Sequence, residues 1–224
     1  RPGTLPVAEP TVAYTVKELF YTLQGEGVHA GRPAVFLRFA GCNLWTGREA
    51  DRAKGKGGCS QWCDTDFIGI NGPGGGKFKT PEALAEAVAD CWSASGGNRF
   101  VVCTGGEPLL QLDAPLIAAL KAQDFTIAIE TNGTLRAPQG IDWVCVSPKE
   151  GADVVLDKGD ELKLVYPQPD LMPELFEHLE FDHFMLQPLD GPKGAQNTQS
   201  ALDYCLENPQ WRLSIQTHKV LGIP

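Results

Sequence analysis

Short runs of β-branched and aromatic residues recur along this chain, and helical patterns separate several of them. The runs predict strands at residues 35–39, 100–103, 126–129, 143–146, 162–165, 183–186 and 212–215. Thr80-Pro81-Glu82 indicates a helix start, and Asp113 is suited to cap a second helix. Residues 171–179 and 198–206 are weaker helical candidates. Because strands that alternate with helices pair in parallel through right-handed crossovers, we predict an α/β fold, a partial or modified TIM-like (β/α) barrel.

The chain has a length of 224 residues, which suits one substantial core, so a single domain is expected. Residues 1–15 are proline-rich and show no periodicity, which indicates an N-terminal tail or an artificial extension. Residues 16–224 would then form the domain.

Charge and the length of apolar runs exclude several classes of partner. Lys and Arg number 19 against 28 Asp and Glu, a formal charge of −9, and no basic block could neutralise phosphates, so nucleic acid is not expected as a partner. Apolar runs such as 34–37 and 125–129 are far shorter than the roughly 18 residues of a membrane span. No signal-peptide pattern opens the chain, and the 7 cysteines do not resemble a secreted disulfide framework. We therefore expect a cytoplasmic protein without membrane association.

Polar segments directly follow the predicted strands. They are Thr104-Gly105-Gly106-Glu107, Glu130-Thr131-Asn132, Ser147-Pro148-Lys149, Gln187-Pro188 and Gln216-Thr217-His218. The carboxyl ends of parallel strands meet at one rim of a barrel, and barrel proteins bind their ligands at that rim. The sequence therefore predicts one shared site at the C-terminal rim.

Three cysteines lie in one polar, glycine-containing segment, residues 42–63. Sixteen residues separate Cys42 from Cys59, and three separate Cys59 from Cys63. Thiolates suit zinc or an iron–sulfur cluster, but structural zinc requires four ligands, whereas three thiolates leave one iron of a cluster open. Two other interpretations remain, namely unligated reduced thiols and zinc with a distant fourth ligand. Metal ligation is favoured because the other cysteines lie within apolar patterns.

The cysteine segment and the polar strand ends together resemble the radical S-adenosylmethionine (SAM) superfamily, and within it the 7-carboxy-7-deazaguanine synthase family. The superfamily motif is C-x3-C-x2-C, from which the longer spacings of this chain depart. The matching blocks lie between Val16 and Pro224. They are residues 20–27, the cysteine segment, and residues 103–108, 129–133, 146–149, 186–188 and 211–219.

The resemblance implies a lyase that converts 6-carboxy-5,6,7,8-tetrahydropterin to 7-carboxy-7-deazaguanine in queuosine and deazapurine biosynthesis. Its cofactors would be a [4Fe–4S] cluster, SAM and Mg²⁺, and a flavodoxin or ferredoxin would supply the electron. In the family, a 5′-deoxyadenosyl radical removes the C6 hydrogen, the ring contracts and ammonia is lost, so no residue beyond the cofactors is expected to be catalytic. A homodimer and a barrel of the radical SAM type are also implied.

The resemblance assigns residues to each of these groups. Cys42, Cys59 and Cys63 would ligate the cluster, and Thr65 would bind Mg²⁺. The SAM site would comprise Trp62, Asp64, Gly106, Glu107, Ser147, Pro148, Lys149, Gln187, Pro188, Leu189 and Asp190. The substrate site would comprise Leu23, Gln24, Gly25, Glu26, Arg38, Thr104, His218 and the carboxylate of Pro224. Taken singly, the SAM segments would be interpreted as ordinary turns, and Arg38 as a surface ion pair.

Two competing functions remain open on the sequence alone. Another radical SAM enzyme, such as the activase of a glycyl-radical protein, would need a surface that docks a protein substrate. A non-enzymatic zinc-binding module would bind zinc instead of iron and would be colourless.

Overall fold

Nine strands form a single sheet in the structure, a computed structural model that describes residues 13–224. The strands are β1 (Tyr14–Leu23), β2 (Pro33–Phe39), β3 (Gly76–Phe78), β4 (Phe100–Gly105), β5 (Thr126–Thr131), β6 (Trp143–Val146), β7 (Lys158–Tyr166), β8 (Glu180–Pro188) and β9 (Trp211–Leu213). The α-helices are α1 (Pro81–Cys91), α2 (Ala114–Ala122), α3 (Gly194–Glu207) and α4 (Thr217–Leu221). The strand order in the sheet is β3-β1-β2-β4-β5-β6-β7-β8-β9.

The strands β2 and β4 to β9 run parallel and in chain order, which confirms the predicted α/β class. All of them end at the same rim, so the polar segments that follow them converge there. β1 and β3 extend the sheet in antiparallel fashion beyond β2. Over residues 13–224 no pairing joins β9 to β3, and the sheet is therefore an open, partial barrel.

β1 is absent from the sequence-based predictions because its apolar alternation is interrupted. The register against β2 shifts between Val16 and Glu18, and Lys17 is buried although it is charged. The strand begins at Tyr14, so Tyr14 and Thr15, which were expected in an N-terminal tail, lie in the sheet. The rest of that predicted tail, residues 1–12, is outside the described part of the chain.

Two helices begin where the sequence predicts them, and a third contains its predicted segment. Thr80 Oγ1 accepts a hydrogen bond from the first turn of α1 at 3.1 Å, and Asp113 Oδ1 accepts one from the first turn of α2 at 3.0 Å. The candidate at 198–206 lies inside α3. No helix among residues 13–224 is both long and apolar enough to span a bilayer.

Two predictions about secondary structure are wrong. Residues 171–179 do not form an α-helix, since only Pro173–Leu175 forms a 3-10 turn, in a segment where prolines remove helical donors. β9 ends at Leu213, before the predicted end at residue 215. Strands and helices alternate only in part, because no α-helix lies between β5 and β6 or between β6 and β7, where none was predicted, nor between β7 and β8.

Side chains along the parallel strands alternate between the helices and the barrel interior. Residues that pack in the helix-side cores include Leu37 of β2, Cys103 of β4, Ile129 of β5 and both Leu162 and Leu164 of β7. Because successive strand residues point to opposite faces, their neighbours Arg38, Thr104, Glu130 and Lys163 point into the barrel. The alternation thus places four polar side chains near the rim inside the sheet.

Candidate active site

A cavity of about 540 Å³ opens at the C-terminal rim, a volume within the range of small-molecule sites. The predicted site residues that line it are Leu23, Gln24, Gly25, Glu26, Arg38, Cys42, Cys59, Trp62, Cys63, Asp64, Thr65, Thr104, Gly106, Ser147, Lys149, Gln187, Pro188, Leu189, Asp190, His218 and Pro224. Two others, Glu107 and Pro148, are buried and do not contribute to the lining. A more open depression of about 760 Å³ at the opposite ends of β7 and β8 contains none of the predicted site residues.

The three cysteines contribute free thiols to this cavity. Burial raises the pKa of Cys42, and it raises the pKa of Cys59 to about 11. A thiolate at Cys63 would raise both values further. The thiols of Cys42 and Cys59 therefore hold their protons unless a metal displaces them, and metal-bound thiolates are the form that ligates iron.

The donor set fits a [4Fe–4S] cluster held by three protein ligands. In such a cluster each thiolate binds a different iron, and three thiolates leave one iron for an exchangeable ligand. Within the described range, 13–224, no three His, Cys, Asp or Glu side chains converge closely enough to hold one metal ion. The residues present thus fit the cluster by chemistry and by their shared cavity.

Gly106, the residue after β4, lies directly against the turn that carries Cys42. A Cβ atom on Gly106 would stand 2.2 Å from Gly41 O and 2.6 Å from Cys42 Cβ. The amide of Glu107 donates to the same Gly41 oxygen at 3.0 Å. Only glycine permits this approach, and it leaves the strand-end backbone exposed to a ligand beside the cysteine segment.

The end of β6 presents an ammonium group to the same side of the cavity. Lys149 Nζ donates to Ser147 Oγ at 2.6 Å and to Ser147 O at 2.8 Å. It lies 6.0 Å from the ring centroid of Trp62. Burial lowers the pKa of Lys149. An anionic ligand group would therefore find a fixed, weakly solvated donor here.

Two predicted SAM-site carboxylates converge on one lysine of α4. Lys219 Nζ lies 2.5 Å from Asp190 Oδ2 and 3.2 Å from Asp64 Oδ2. These contacts join Asp64, which directly follows the cysteine segment, to the loop after β8 and to the C-terminal helix. The carboxylates are exposed, so the pairs contribute little to stability, but they tie three borders of the cavity together.

The predicted substrate residues meet at the opposite side. Arg38 Nε donates to Glu18 Oε1 at 2.7 Å, an ion pair that lines the cavity. The His218 ring packs on Gly25 so closely that a Cβ atom there would stand 2.1 Å from His218 Nδ1. Thr22 Oγ1 donates to Pro224 O at 3.1 Å, which holds the C-terminus beside the cavity.

Known relatives match nearly the whole chain in sequence, although none of the family models searched matches it. The chain is 63% identical over 213 residues to the 7-carboxy-7-deazaguanine synthase of Bordetella pertussis, covering 95% of this chain and 100% of the relative. It is 52% identical over 219 residues to the enzyme of the same name from Nitratidesulfovibrio vulgaris, with the same coverage. The chain belongs to the 7-carboxy-7-deazaguanine synthase family.

The fold agrees with this family. The crystal structure of QueE from Escherichia coli matches with a TM-score of 0.67 and 27% identity, covering 91% of this chain and 94% of that chain. The partial barrel is therefore of the radical SAM type. As a member of the 7-carboxy-7-deazaguanine synthase family, the protein is an enzyme that uses a [4Fe–4S] cluster and SAM.

One group of polar side chains in this family member was predicted only in part from the sequence. Lys163 Nζ lies 2.6 Å from Glu26 Oε2 and 3.2 Å from Glu130 Oε1. Gln24 donates to Glu130 at 3.1 Å, and Gln216 donates to Glu26 at 2.8 Å. Of these residues, Lys163, Glu130 and Gln216 were not assigned. The signal that could have revealed Lys163 is a charged residue inside the otherwise apolar predicted run 162–165.

Lys163 and Glu26 favour each other's ionised state. Burial alone would raise the pKa of Glu26, but the Lys163 ammonium and hydrogen bonds from neighbouring side chains outweigh burial and lower the pKa to about 2. Burial likewise acts to lower the pKa of Lys163, yet Glu130 and Glu26 keep it well above its ordinary value. The cavity floor therefore carries a fixed array of charged donors and acceptors.

Glu107, a predicted SAM contact, is fully buried behind the cavity. Its carboxylate accepts hydrogen bonds from Thr131 Oγ1 at 2.7 Å, Asn132 N at 2.9 Å and Leu109 N at 3.0 Å. Burial raises its pKa, while these donors oppose that rise. The carboxylate thus joins the ends of β4 and β5, and its contact with SAM remains a prediction.

We expect Glu107→Gln to destabilise the fold by about 1–3 kcal/mol, because the amide turns a donor toward groups that are themselves donors. Urea unfolding of the apoprotein at pH 7 measures this difference. Glu180→Gln, at an exposed glutamate of β8, is the control and should change the free energy of unfolding by less than about 0.5 kcal/mol. Equal stability of Glu107→Gln and the parent protein would show that the three hydrogen bonds are dispensable.

Proposed function

We propose that this protein converts 6-carboxy-5,6,7,8-tetrahydropterin to 7-carboxy-7-deazaguanine with release of ammonia. The observation that carries the proposal is the single cavity in which three cysteines of one segment face a fixed array of charged and amide side chains. When bound, the reduced cluster and SAM supply a 5′-deoxyadenosyl radical that removes the C6 hydrogen of the pterin, after which the ring contracts.

The residues on the cysteine side are proposed to hold SAM. Lys149 offers a cation for its carboxylate, and the backbone at Gly106 offers a surface with no side chain for the amino group. Gln187 and Leu189 line the same cavity at the end of β8 and would border the adenine. Trp62 and Asp64, from the cysteine segment, would complete this side.

The residues on the opposite side are proposed to hold the pterin. Gln24, Glu26 and Thr104 present amide, carboxylate and hydroxyl groups, which suit the donor and acceptor edge of such a ring. Arg38 would bind the substrate carboxylate with the part of its guanidinium that does not bond to Glu18. His218, Leu23 and the terminal carboxylate of Pro224 would complete the enclosure.

A magnesium ion is proposed at Thr65, bound by its hydroxyl together with substrate oxygens and water. Magnesium prefers few protein ligands and retains several waters, which agrees with a single hydroxyl facing the cavity. The flanking Asp66 and Asp64 form ion pairs with Lys17 and Lys219, so they would lower the local potential without ligating the metal.

Further features are proposed on the family resemblance and the sequence. A flavodoxin or ferredoxin would reduce the cluster, two chains would associate as a homodimer, and the enzyme would act in the cytoplasm. Nucleic acid and membranes are not proposed as partners, given the formal charge of −9 and the short apolar runs. The radical SAM domain is proposed to include β1 from Tyr14 and to extend to residue 224, which leaves at most residues 1–13 of the expected tail.

The activity test uses the full chain, reconstituted with iron and sulfide under anaerobic conditions. With dithionite, SAM, Mg²⁺ and 6-carboxy-5,6,7,8-tetrahydropterin, we expect stoichiometric release of 7-carboxy-7-deazaguanine and ammonia, measured by mass spectrometry and a coupled ammonia assay. Omission of Mg²⁺ should reduce the rate if Thr65 and substrate oxygens share the ion, and Thr65→Val should remove that dependence.

Each negative outcome rejects a different part of the proposal. Zinc in place of iron would reject the radical mechanism and favour a zinc-binding module. Iron with SAM cleavage but without a deazapurine product would reject the substrate and favour an activase. A rate that does not respond to Mg²⁺ would reject the metal at Thr65.

A further inference from the structure

The sixteen residues between Cys42 and Cys59 form a defined structure against the two later cysteines. Glu49–Lys54 is a 3-10 helix, and Arg52 extends from it toward the cysteine segment. Arg52 Nη1 donates to Ser60 O at 2.7 Å. Both terminal nitrogens of its guanidinium donate to Cys63 O at 3.3 Å. Residues 43–58, the insertion between the first two cysteines, thus provide one side chain that binds the backbone on both sides of Trp62.

The contact is reciprocal. The backbone oxygen of Arg52 accepts hydrogen bonds from Ser60 Oγ at 2.8 Å and from Gln61 Nε2 at 2.9 Å. The guanidinium is itself fixed, because its Nε lies 2.7 Å from Glu49 Oε2 and its carbon lies 4.9 Å from the Trp45 ring centroid. This planar guanidinium contacts a carboxylate, an aromatic ring and backbone oxygens. It can therefore fix the direction of the carbonyl groups more strictly than a lysine ammonium could.

The position of Gly55 also shows how closely the insertion packs against residues 59–63. A Cβ atom on Gly55 would stand 2.3 Å from both Cβ and Oγ of Ser60. Gly55 has an extended backbone with φ −61°, so an alanine there meets a steric obstacle and no backbone strain. The close approach at Gly55 and the hydrogen bonds of Arg52 hold the same short segment.

We propose that Arg52 is a positioning residue for the iron–sulfur cluster, which fixes residues 59–63 so that the thiols of Cys59 and Cys63 face the cavity before iron is bound. A ligand loop that is ordered in advance loses less conformational entropy when the metal binds. The inference rests on the proposed cluster at these cysteines. The insertion thereby replaces the tight spacing of the usual superfamily motif with a separate support.

The first experiment tests preorganisation in the apoprotein. Amide hydrogen exchange across residues 58–63 should accelerate by about tenfold in Arg52→Ala, roughly the effect of one lost hydrogen bond to a charged group. Arg48→Ala, an exposed arginine four residues earlier in the chain, is the matched control and should exchange like the parent. Arg52→Lys should show an intermediate rate, because it keeps the charge without the fork.

The second experiment measures iron retention in the reconstituted full chain. Transfer of iron to a chelator should be faster in Arg52→Ala and in Gly55→Ala than in the parent, while Arg48→Ala should match the parent. Electron paramagnetic resonance of the reduced cluster should broaden in the first two variants, because their cysteine segment adopts several conformations.

The inference is overturned if Arg52→Ala retains iron and exchanges at 58–63 as the parent does. It is also overturned if exchange accelerates throughout the chain, because the effect is then one of global stability. If Arg52→Ala does not fold, Arg52→Lys and Gly55→Ala decide by the same measurements. Failure of the proposed function is distinct, since it would appear as a parent protein that binds no iron or forms no deazapurine.

Discussion

Replacing Gly106 with alanine is expected to abolish catalysis and to remove most of the bound iron. The added Cβ would stand 2.2 Å from Gly41 O and 2.6 Å from Cys42 Cβ, distances that real Cβ atoms essentially never show. Backbone atoms cannot rotate away as a flexible side chain can, so the turn carrying Cys42 must move. The movement would displace a thiol that is proposed to ligate the cluster, and the added methyl group would fill the surface proposed for SAM.

Iron and sulfide content, SAM cleavage and thermal unfolding of Gly106→Ala measure this effect. Gly96→Ala is the control, because a Cβ atom at that exposed glycine meets no atom within 4 Å. We expect the control to retain iron and activity, and we expect Gly106→Ala to lose at least about 100-fold in activity, since misplacement by about 1 Å can cost that much. A Gly106→Ala protein with full iron and normal turnover would refute the close contact of β4 with the cysteine turn.

Replacing Lys163 with methionine is expected to reduce both stability and activity strongly. The substitution leaves Glu26 and Glu130 without the ammonium that lies 2.6 Å and 3.2 Å from them. Removal of one partner from a buried ion pair costs about 3–5 kcal/mol, a large share of the stability of a typical domain. Activity should fall as well, because the carboxylate of Glu26 would change its charge or its orientation.

The pH dependence of this loss identifies its cause. In the parent protein the pKa of Glu26 is about 2, below its ordinary value of 4.5, so its contribution to stability is complete above about pH 5 and is lost as pH falls toward 2. Lys163→Met lacks that contribution at neutral pH. The difference in free energy of unfolding between the two proteins should therefore be largest near pH 7 and decrease as pH falls.

Denaturant unfolding at pH 7 and at about pH 3.5 measures the two differences. Lys158→Met, at an exposed lysine of the same strand, is the control and should differ from the parent by less than about 0.5 kcal/mol. A loss in Lys163→Met that is equal at both pH values would mean that packing, and not the charge of Lys163, accounts for its contribution.

The parallel arrangement and the location of the site could be predicted because their signals are local. Each strand carries its own apolar run, and each polar segment directly follows a strand, so the shared rim results from chain direction alone. Arg38 and Thr104 were assigned to the substrate site by the family resemblance, and only the folded sheet shows that they point into the barrel, because alternation along a strand does not by itself say which face is the inner one. The helix expected at residues 171–179 does not form, because Pro173 lies inside the apolar pattern and removes a backbone donor.

The sequence by itself determined the class of fold, the family and many of the residues that line the cavity. The tertiary structure alone decided which of these residues touch: Lys163 meets Glu26 across the barrel, Glu107 turns away from the cavity, and Arg52 binds the backbone at Cys63. The physical reason is the range of the interactions. Periodicity and strand ends are set by neighbours in the chain, whereas a hydrogen bond requires two distant segments to be placed to within a few tenths of an ångström, which only register and packing achieve.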